Sequence, residues 1–258
     1  MTDASQIFQG LAGNYQEFRP RYPAELLGRL NDLFPATGSL VAIDVGSGTG
    51  ISTRALAETL GRRATVTGIE PGPDMRREAM EATPEDLPVR YIEGTAEDID
   101  YPEGALDLVF VGQAIHWFDR PKFYGEAGRV LKPGGHLAVA NNNRNWRESE
   151  LLSAFESLLE THAPGYRRDY RAYDLEAELE ALDWVAGLSM HREAWIRPMD
   201  VDSFVGMFSS SNKAQAAIKA LGKEAAFKQA REIATRHAEE DGSLPVAYVS
   251  ELVVAKKG

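Results

Sequence analysis

The sequence predicts an α/β fold, a doubly wound and mostly parallel sheet with a helical cap inserted in its C-terminal half. Three observations carry that expectation. Strand-length apolar runs alternate with helix-length amphipathic stretches between residues 41 and 141, the pattern of repeated βαβ units. The runs are nearly continuously apolar, as strands become when helices cover both faces of a sheet. Beyond Asn141 helical stretches dominate, and strand-like sequence returns only at Met190–Pro198 and Leu244–Ala255. A chain of 258 residues is long enough for one large α/β domain with an insertion.

Residues 1–20 are polar and irregular, after which Tyr22-Pro23 opens a helical pattern, AELLGRLNDLF, that ends near Pro35. Val41–Val45 is the first strand and runs into Gly46-Ser-Gly-Thr-Gly50. Ser52–Leu60 places Ala55, Leu56, Thr59 and Leu60 on one helical face, with Gly61 as its stop. Thr65–Glu70 is the second strand and ends on an acid. A helix over Pro73–Ala82 stops before Pro84. Val89–Glu93 and Leu106–Val111 are the third and fourth strands. Pro121–Leu131 reads as a helix closed by Lys132-Pro-Gly-Gly135, and His136–Asn141 as the fifth strand, with right-handed crossovers throughout. In the second half Glu148–Thr161, Leu175–Leu182, Val201–Phe208 and Lys213–His237 carry helical patterns. This half supplies two strands that the sheet can use, so it reads as a cap rather than a second domain.

Bulk composition narrows the partners. The net charge of −11 argues against duplex nucleic acid, which needs a basic face, and against an anionic membrane surface. There is no cysteine, and the five histidines (His116, His136, His162, His191 and His237) lack ligand-like spacing, so no metal site is expected. The N-terminus has neither a basic nor an apolar leader segment, and no stretch approaches the length of a membrane span. The expected location is cytoplasmic.

Three alternate glycines, Gly46, Gly48 and Gly50, follow the first strand within five residues. Lacking a Cβ, they permit a sharp turn and the close approach of a ligand to the backbone. The helix that follows points free N–H groups and its positive end at that ligand. Without further residues the loop is equally a tight strand-to-helix turn. Glu70, 26 residues after Asp44, stands where an acid accepts hydrogen bonds from both ribose hydroxyls of a nucleotide cofactor. In Glu93-Gly-Thr-Ala-Glu-Asp98 the small residue and the acids either line an adenine slot or cap a short turn. The fourth strand ends in Val111-Gly-Gln-Ala-Ile-His-Trp-Phe-Asp119, at the sheet edge where open α/β folds bind ligands. His116 is there a pocket wall or a proton acceptor, and Trp117 a pocket wall or core.

Together DVGSGTG, the acid closing the second strand, GQAIHWFD and RVLKPGG resemble the class I S-adenosylmethionine-dependent methyltransferases over residues 40 to 140. The runs Tyr15-Gln-Glu-Phe-Arg-Pro-Arg-Tyr-Pro23 and His-Trp-Phe-Asp119 further resemble the trans-aconitate methyltransferase subgroup, which acts on small acids. The resemblance implies a seven-stranded Rossmann-like sheet whose last strand is antiparallel. It implies S-adenosyl-L-methionine as cofactor, with Asp44, Gly46, Ser47 and Gly48 at its methionine part and Glu70, beside Pro71, at the ribose. Met75, Thr95, Ala96 and Glu97 would flank the adenine. Gln113 and Ala114 would lie beside the sulfonium, and Tyr15 and Arg19 would fold over it. Tyr22, His116, Trp117, Asn141 and Trp146 would face a small-molecule methyl acceptor. The implied organisation is one methyltransferase domain: residues 1–35 a lid and first helix, 36–145 the cofactor-binding core, 146–242 the helical cap with the sixth strand, and 243–258 the last strand.

Two other classes stay open. A NAD-linked oxidoreductase would use a similar loop, although Ile51 stands where the dinucleotide fingerprint has a glycine. A non-catalytic protein that binds S-adenosylmethionine would share every cofactor residue. For the acceptor, Arg21, Arg144, Arg147, Arg197 and the Arg167, Arg168 and Arg171 cluster suit an acid, whereas Trp117, Trp146, Tyr166, Tyr170 and Trp195 suit a ring.

Overall fold

The computed structural model describes residues 20–209 and 211–258, with the side chain of Asn212 outside the description. Tyr15 and Arg19 therefore lie outside the described residues. A seven-stranded sheet has the order β3-β2-β1-β4-β5-β7-β6. Its strands are β1 (Leu40–Val45), β2 (Ala64–Ile69), β3 (Val89–Ile92), β4 (Leu106–Gly112), β5 (Leu131–Arg144), β6 (Val185–Met199) and β7 (Leu244–Lys257). β1 pairs in parallel with both β2 and β4, so the strand order reverses between β1 and β4. That reversal opens a crevice at the carboxyl ends of these two strands. β7 runs antiparallel to β5 and to β6, as expected.

The period-2 alternation of strand side chains divides the core between the two faces. Ile43, Val45, Val109, Val111, Leu137 and Val139 pack on one face against Phe123 and Ala127 of α4 (Arg120–Val130) and Leu175 and Leu179 of α6 (Leu175–Glu180). Ala42, Val66, Leu108, Phe110 and Ala138 pack on the other against Leu26 and Leu27 of α1 (Ala24–Gly28) and Leu56 and Leu60 of α2 (Ile51–Leu60). The helix α3 (Pro73–Glu81) follows β2, buries Met75 and Ala79, and has proline in its first turn, where the missing N–H costs nothing.

The cap has its own core. Leu152, Phe155 and Leu159 of α5 (Glu150–His162) meet Phe204 and Phe208 of α7 (Val201–Ser209), and alanines of α8 (Asn212–Leu221) and α9 (Lys223–Arg236) complete the packing. Leu244, Val246 and Tyr248 of β7 belong to this cluster, whereas Leu252–Ala255 belong to the sheet. One long strand therefore joins the two cores.

Two boundaries differ from the sequence reading. The helix expected over Lys213–His237 is two helices, because Gly222 has φ 84°, outside the helical range. The stretch after Pro23 gives only the five residues of α1 and then a 3-10 turn, Arg29–Leu33. β5, β6 and β7 also run beyond their expected ends, since the antiparallel ladder stays paired from Val185↔Lys257 to Met199↔Leu244.

Candidate active site

The loop after β1 is held from below. The fully buried Asp44 accepts hydrogen bonds at Oδ2 from Ser52 Oγ and Thr53 Oγ1, each at 2.7 Å. This ties the strand end to the first turn of α2, which has no side-chain cap of its own. Burial pushes the Asp44 pKa up to about 7, against the opposing pull of the two hydroxyls. The two inner glycines then do different work. Gly46 has φ 72°, and a Cβ there would stand 2.6 Å from the Ala114 Cβ, so the loop and the β4 turn close-pack only with glycine. A Cβ on Gly48 would meet nothing within 4 Å. The space over Gly48 is open, and it is the cavity.

That cavity, of about 400 Å³, runs from the loop to the cap. Gly46, Ser47, Gly48, Ile51 and Ser52 form one wall. Tyr22, Gln113, His116, Trp117 and Trp146 line it as the sequence reading expects. Ala114 is buried directly behind Gly46. His116 packs edge-on against Tyr170, with ring centroids 5.8 Å apart, and tilts over Trp117 at 5.0 Å. Its Nε2 lies 3.4 Å from Nη2 of Arg171. A guanidinium only donates, so that nitrogen holds the lone pair in this contact.

Several expected residues lie elsewhere. Asp44 does not line the cavity, because its carboxylate is committed beneath the loop. Glu70 turns back to the backbone: Oε2 accepts from the Gly48 N–H at 3.0 Å and Oε1 from the Gly72 N–H at 2.8 Å. Burial raises its pKa, with both amides opposing. Pro71, the buried Met75, Thr95 and the buried Ala96 also stand outside the cavity. Thr95 pairs with Asp98 across a tight turn, and Glu97 Oε1 accepts the Asp119 N–H at 2.9 Å. Asn141 is corrected: it is buried and does not line the cavity, where the following residues Asn142, Asn143 and Arg144 stand instead. Asn142 accepts from Ser250 Oγ at Oδ1, and its main-chain carbonyl accepts from Gln113 Nε2 at 2.8 Å.

The cap wall contains groups that were not expected to act together. Glu156, 2% exposed, accepts from Arg144 Nη2 at 2.7 Å and Nε at 3.0 Å, and from Tyr166 Oη at 2.5 Å. Desolvation is the largest influence on the Arg144 pKa and lowers it, but the charge and hydrogen bond of Glu156 together with Tyr166 and Tyr248 outweigh it, and the net shift is upward. The signal was present in the sequence, since Glu156 interrupts the apolar stripe of Leu152, Phe155 and Leu159. Arg171 reaches Gln113 Oε1 at 2.8 Å, across 58 residues of sequence. Gln113 itself has φ 63°, the one positive φ outside glycine among the described residues, a strained setting typical of functional turns. Among the described residues no group of three or more His, Asp or Glu is placed to hold a metal ion, and no helix is long and apolar enough to cross a membrane.

Comparison with known proteins agrees with this geometry. Residues 43–139 match the family described as methyltransferase domain. The chain is 37% identical over 145 residues to an uncharacterized methyltransferase of Mycobacterium tuberculosis, a match covering 56% of each protein, so it spans about half the length of that relative. It is 29% identical over 225 residues to a putative methyltransferase of Dictyostelium discoideum, covering 84% of this chain and 81% of the other. In structure it resembles a putative type II methyltransferase from Anaeromyxobacter dehalogenans, with a TM-score of 0.63 and 24% identity over 93% of this chain and 97% of that one. None of these likenesses extends to the narrower trans-aconitate resemblance. Residues 43–139 thus match a methyltransferase domain, and the seven-stranded fold around them resembles that of solved methyltransferase structures.

Proposed function

We propose that this chain transfers a methyl group from S-adenosyl-L-methionine to oxygen or nitrogen of a small acceptor held between the glycine loop and the cap. One observation carries the reading: a single cavity joins the backbone of Gly46–Ser52 to His116, Trp117 and the cap side chains. A cofactor and an acceptor can meet there. The residues present fit the cofactor. Gly48 fronts open space, and the uncapped first turn of α2 has N–H groups to offer. Gly46, Ser47 and Gly48 would hold the methionine part and Glu70 the ribose, each of its carboxylate oxygens keeping a second lone pair beyond the amide that it accepts. Met75, Ala96 and Glu97 would flank the adenine.

The cofactor supplies an activated methyl on a sulfonium, and the transfer leaves a neutral thioether. The protein's part is alignment and exclusion of water. Trp117, Trp146 and Tyr170 wall the acceptor side with ring faces. Gln113 fixes the junction of the two halves through Asn142 and Arg171. Where the acceptor is a hydroxyl or a ring nitrogen, His116 takes the proton at Nε2, once Arg171 no longer donates to it.

Calorimetric titration with S-adenosylhomocysteine and, separately, NAD tests the cofactor. Heat with the first and none with the second is expected, and the reverse sinks the reading. His116→Asn should lower kcat on a hydroxyl acceptor by about 10²-fold. Wild-type rates across the pH range would remove His116 from catalysis and leave it a wall.

A further inference from the structure

Counting charge around the cavity singles out one spot. Each acid on its wall is already engaged inside the protein: Glu156 by Arg144, Asp169 by Arg167, and Glu251 by Arg192 and Asn143. Arg168 is matched as well, by Glu160 at 2.6 Å. Among the described residues Arg171 and Lys213 meet no carboxylate. Arg147 is in no ion pair among them either, and it stands 4.3 Å over the Trp146 ring, whereas Arg171 and Lys213 gather on another ring. Arg171 donates only to neutral groups, Gln113 Oε1 at 2.8 Å and, at longer range, Asn143 Oδ1 and His116 Nε2, while its buried Nε has no partner. Lys213 Nζ stands 5.2 Å from the centroid of Tyr170, and the Arg171 guanidinium lies at the same distance from the same ring.

Two cations gathered on one aromatic ring repel each other, and a half-buried guanidinium without a counter-charge is costly. In a chain of net charge −11 this local excess is not an average property of the surface. Nor is it loosely held, since Gln113 adopts φ 63° and is anchored to the Asn142 carbonyl while it presents its amide oxygen to Arg171.

We propose that Arg171 and Lys213 form an anion seat for the acceptor: the substrate carries a carboxylate or phosphate bound by these two cations, with a flat body against Tyr170 and Trp117, and Gln113 positions Arg171 for it. This rests on the reading of the cavity as an acceptor site. A carboxylate or phosphate takes guanidinium donors in pairs, and the ring accommodates both the cations and a planar ligand.

The test is a ligand-observed NMR titration of the full chain with benzoate, phenyl phosphate and the neutral isostere benzamide, at low salt. Benzoate or phenyl phosphate should bind at least tenfold tighter than benzamide, and whichever binds tighter identifies the anion. Arg171→Gln should cut that affinity about 30-fold and Lys213→Gln severalfold. Arg171→Lys should restore part of the loss, and benzamide should stay unchanged throughout. Circular dichroism of each variant verifies the fold. Equal binding of charged and neutral probes to the wild type, or an anion preference that survives Arg171→Gln, overturns the seat. A parallel S-adenosylhomocysteine titration of the wild type separates the two readings. Cofactor binding without anion preference defeats the seat alone, and anion preference without cofactor binding defeats the methyltransferase reading alone.

Discussion

The two walls of the cavity are built on opposite principles. The loop wall, Gly46–Ser52, presents backbone and small side chains, and its nearby acids brace the loop through hydroxyls and amides. The cap wall presents ionised and aromatic side chains: Arg144 against Glu156, Arg168 against Glu160, and Arg171 and Lys213 around Tyr170. Backbone shape is hard to vary without unfolding the turn, whereas side chains on a helical cap are exchangeable one at a time. A ligand common to many relatives belongs on the first wall and a ligand that differs between them on the second. The family match agrees, since it ends at residue 139, before the cap begins.

That contrast can be broken by mutation. The largest effect is expected from Glu156→Gln, which strands Arg144 in a largely buried site. Removing one partner of such a pair should cost about 3 kcal/mol in urea unfolding, and a loss below ~1 kcal/mol would mean that the cap wall is not held by charge. Next comes Gly46→Ala, where the left-handed φ and the 2.6 Å approach to Ala114 together predict a loss of about 2 kcal/mol. Gly48→Ala is its counterpart: the new methyl meets open space, so only the left-handed φ of 55° costs stability, roughly 1 kcal/mol, while S-adenosylhomocysteine affinity drops. Equal stability losses at the two glycines would erase the distinction between packing and ligand space.

A third effect concerns pH. Asp44 and Glu70 both hold a proton more tightly in the folded chain than in the unfolded one. Their contribution to stability is therefore fully present at low pH and is lost as pH rises from near 4 toward about 7, where Asp44 ionises. Urea midpoints for the wild type and Asp44→Asn across that window should converge at low pH. They should separate as neutrality is approached, in favour of the variant. A wild-type slope of the opposite sign would refute the buried-carboxyl account. The smallest effect is that of Glu70→Gln on cofactor affinity, about tenfold by calorimetry. An unchanged value would show that Glu70 serves only to anchor the Gly48 and Gly72 amides.

The loop wall was legible in the sequence and the cap wall was not, for a physical reason. Glycine spacing, strand periodicity and an acid at a strand end are local signals, and they point to Gly46, Ser47, Gly48 and the His116 turn, which line one cavity. The Arg171–Gln113 contact joins residues 58 apart, and the Ser250–Asn142 contact residues 108 apart. Such contacts depend on how the cap docks, which no window of sequence encodes. Asn141 was expected at the acceptor, but β5 continues past it to Arg144 and the residues that line the cavity are Asn142, Asn143 and Arg144. The single helix over Lys213–His237 failed at Gly222, a residue that helical periodicity tolerates but that this backbone does not keep helical. Glu156 was the readable exception, a lone charge in an apolar stripe.

The strand order has a consequence for synthesis. β7 follows both β5 and β6 in the chain, yet it lies between them. Until it arrives, β5 ends the growing sheet with a bare edge and β6 has no place to pair, so a chain emerging from the ribosome exposes two unsatisfied ladders at once. The same strand carries Leu244, Val246 and Tyr248 into the cap, so cap and sheet are completed by one late event. A nascent chain that stalls before Leu244 is the species most in need of a chaperone.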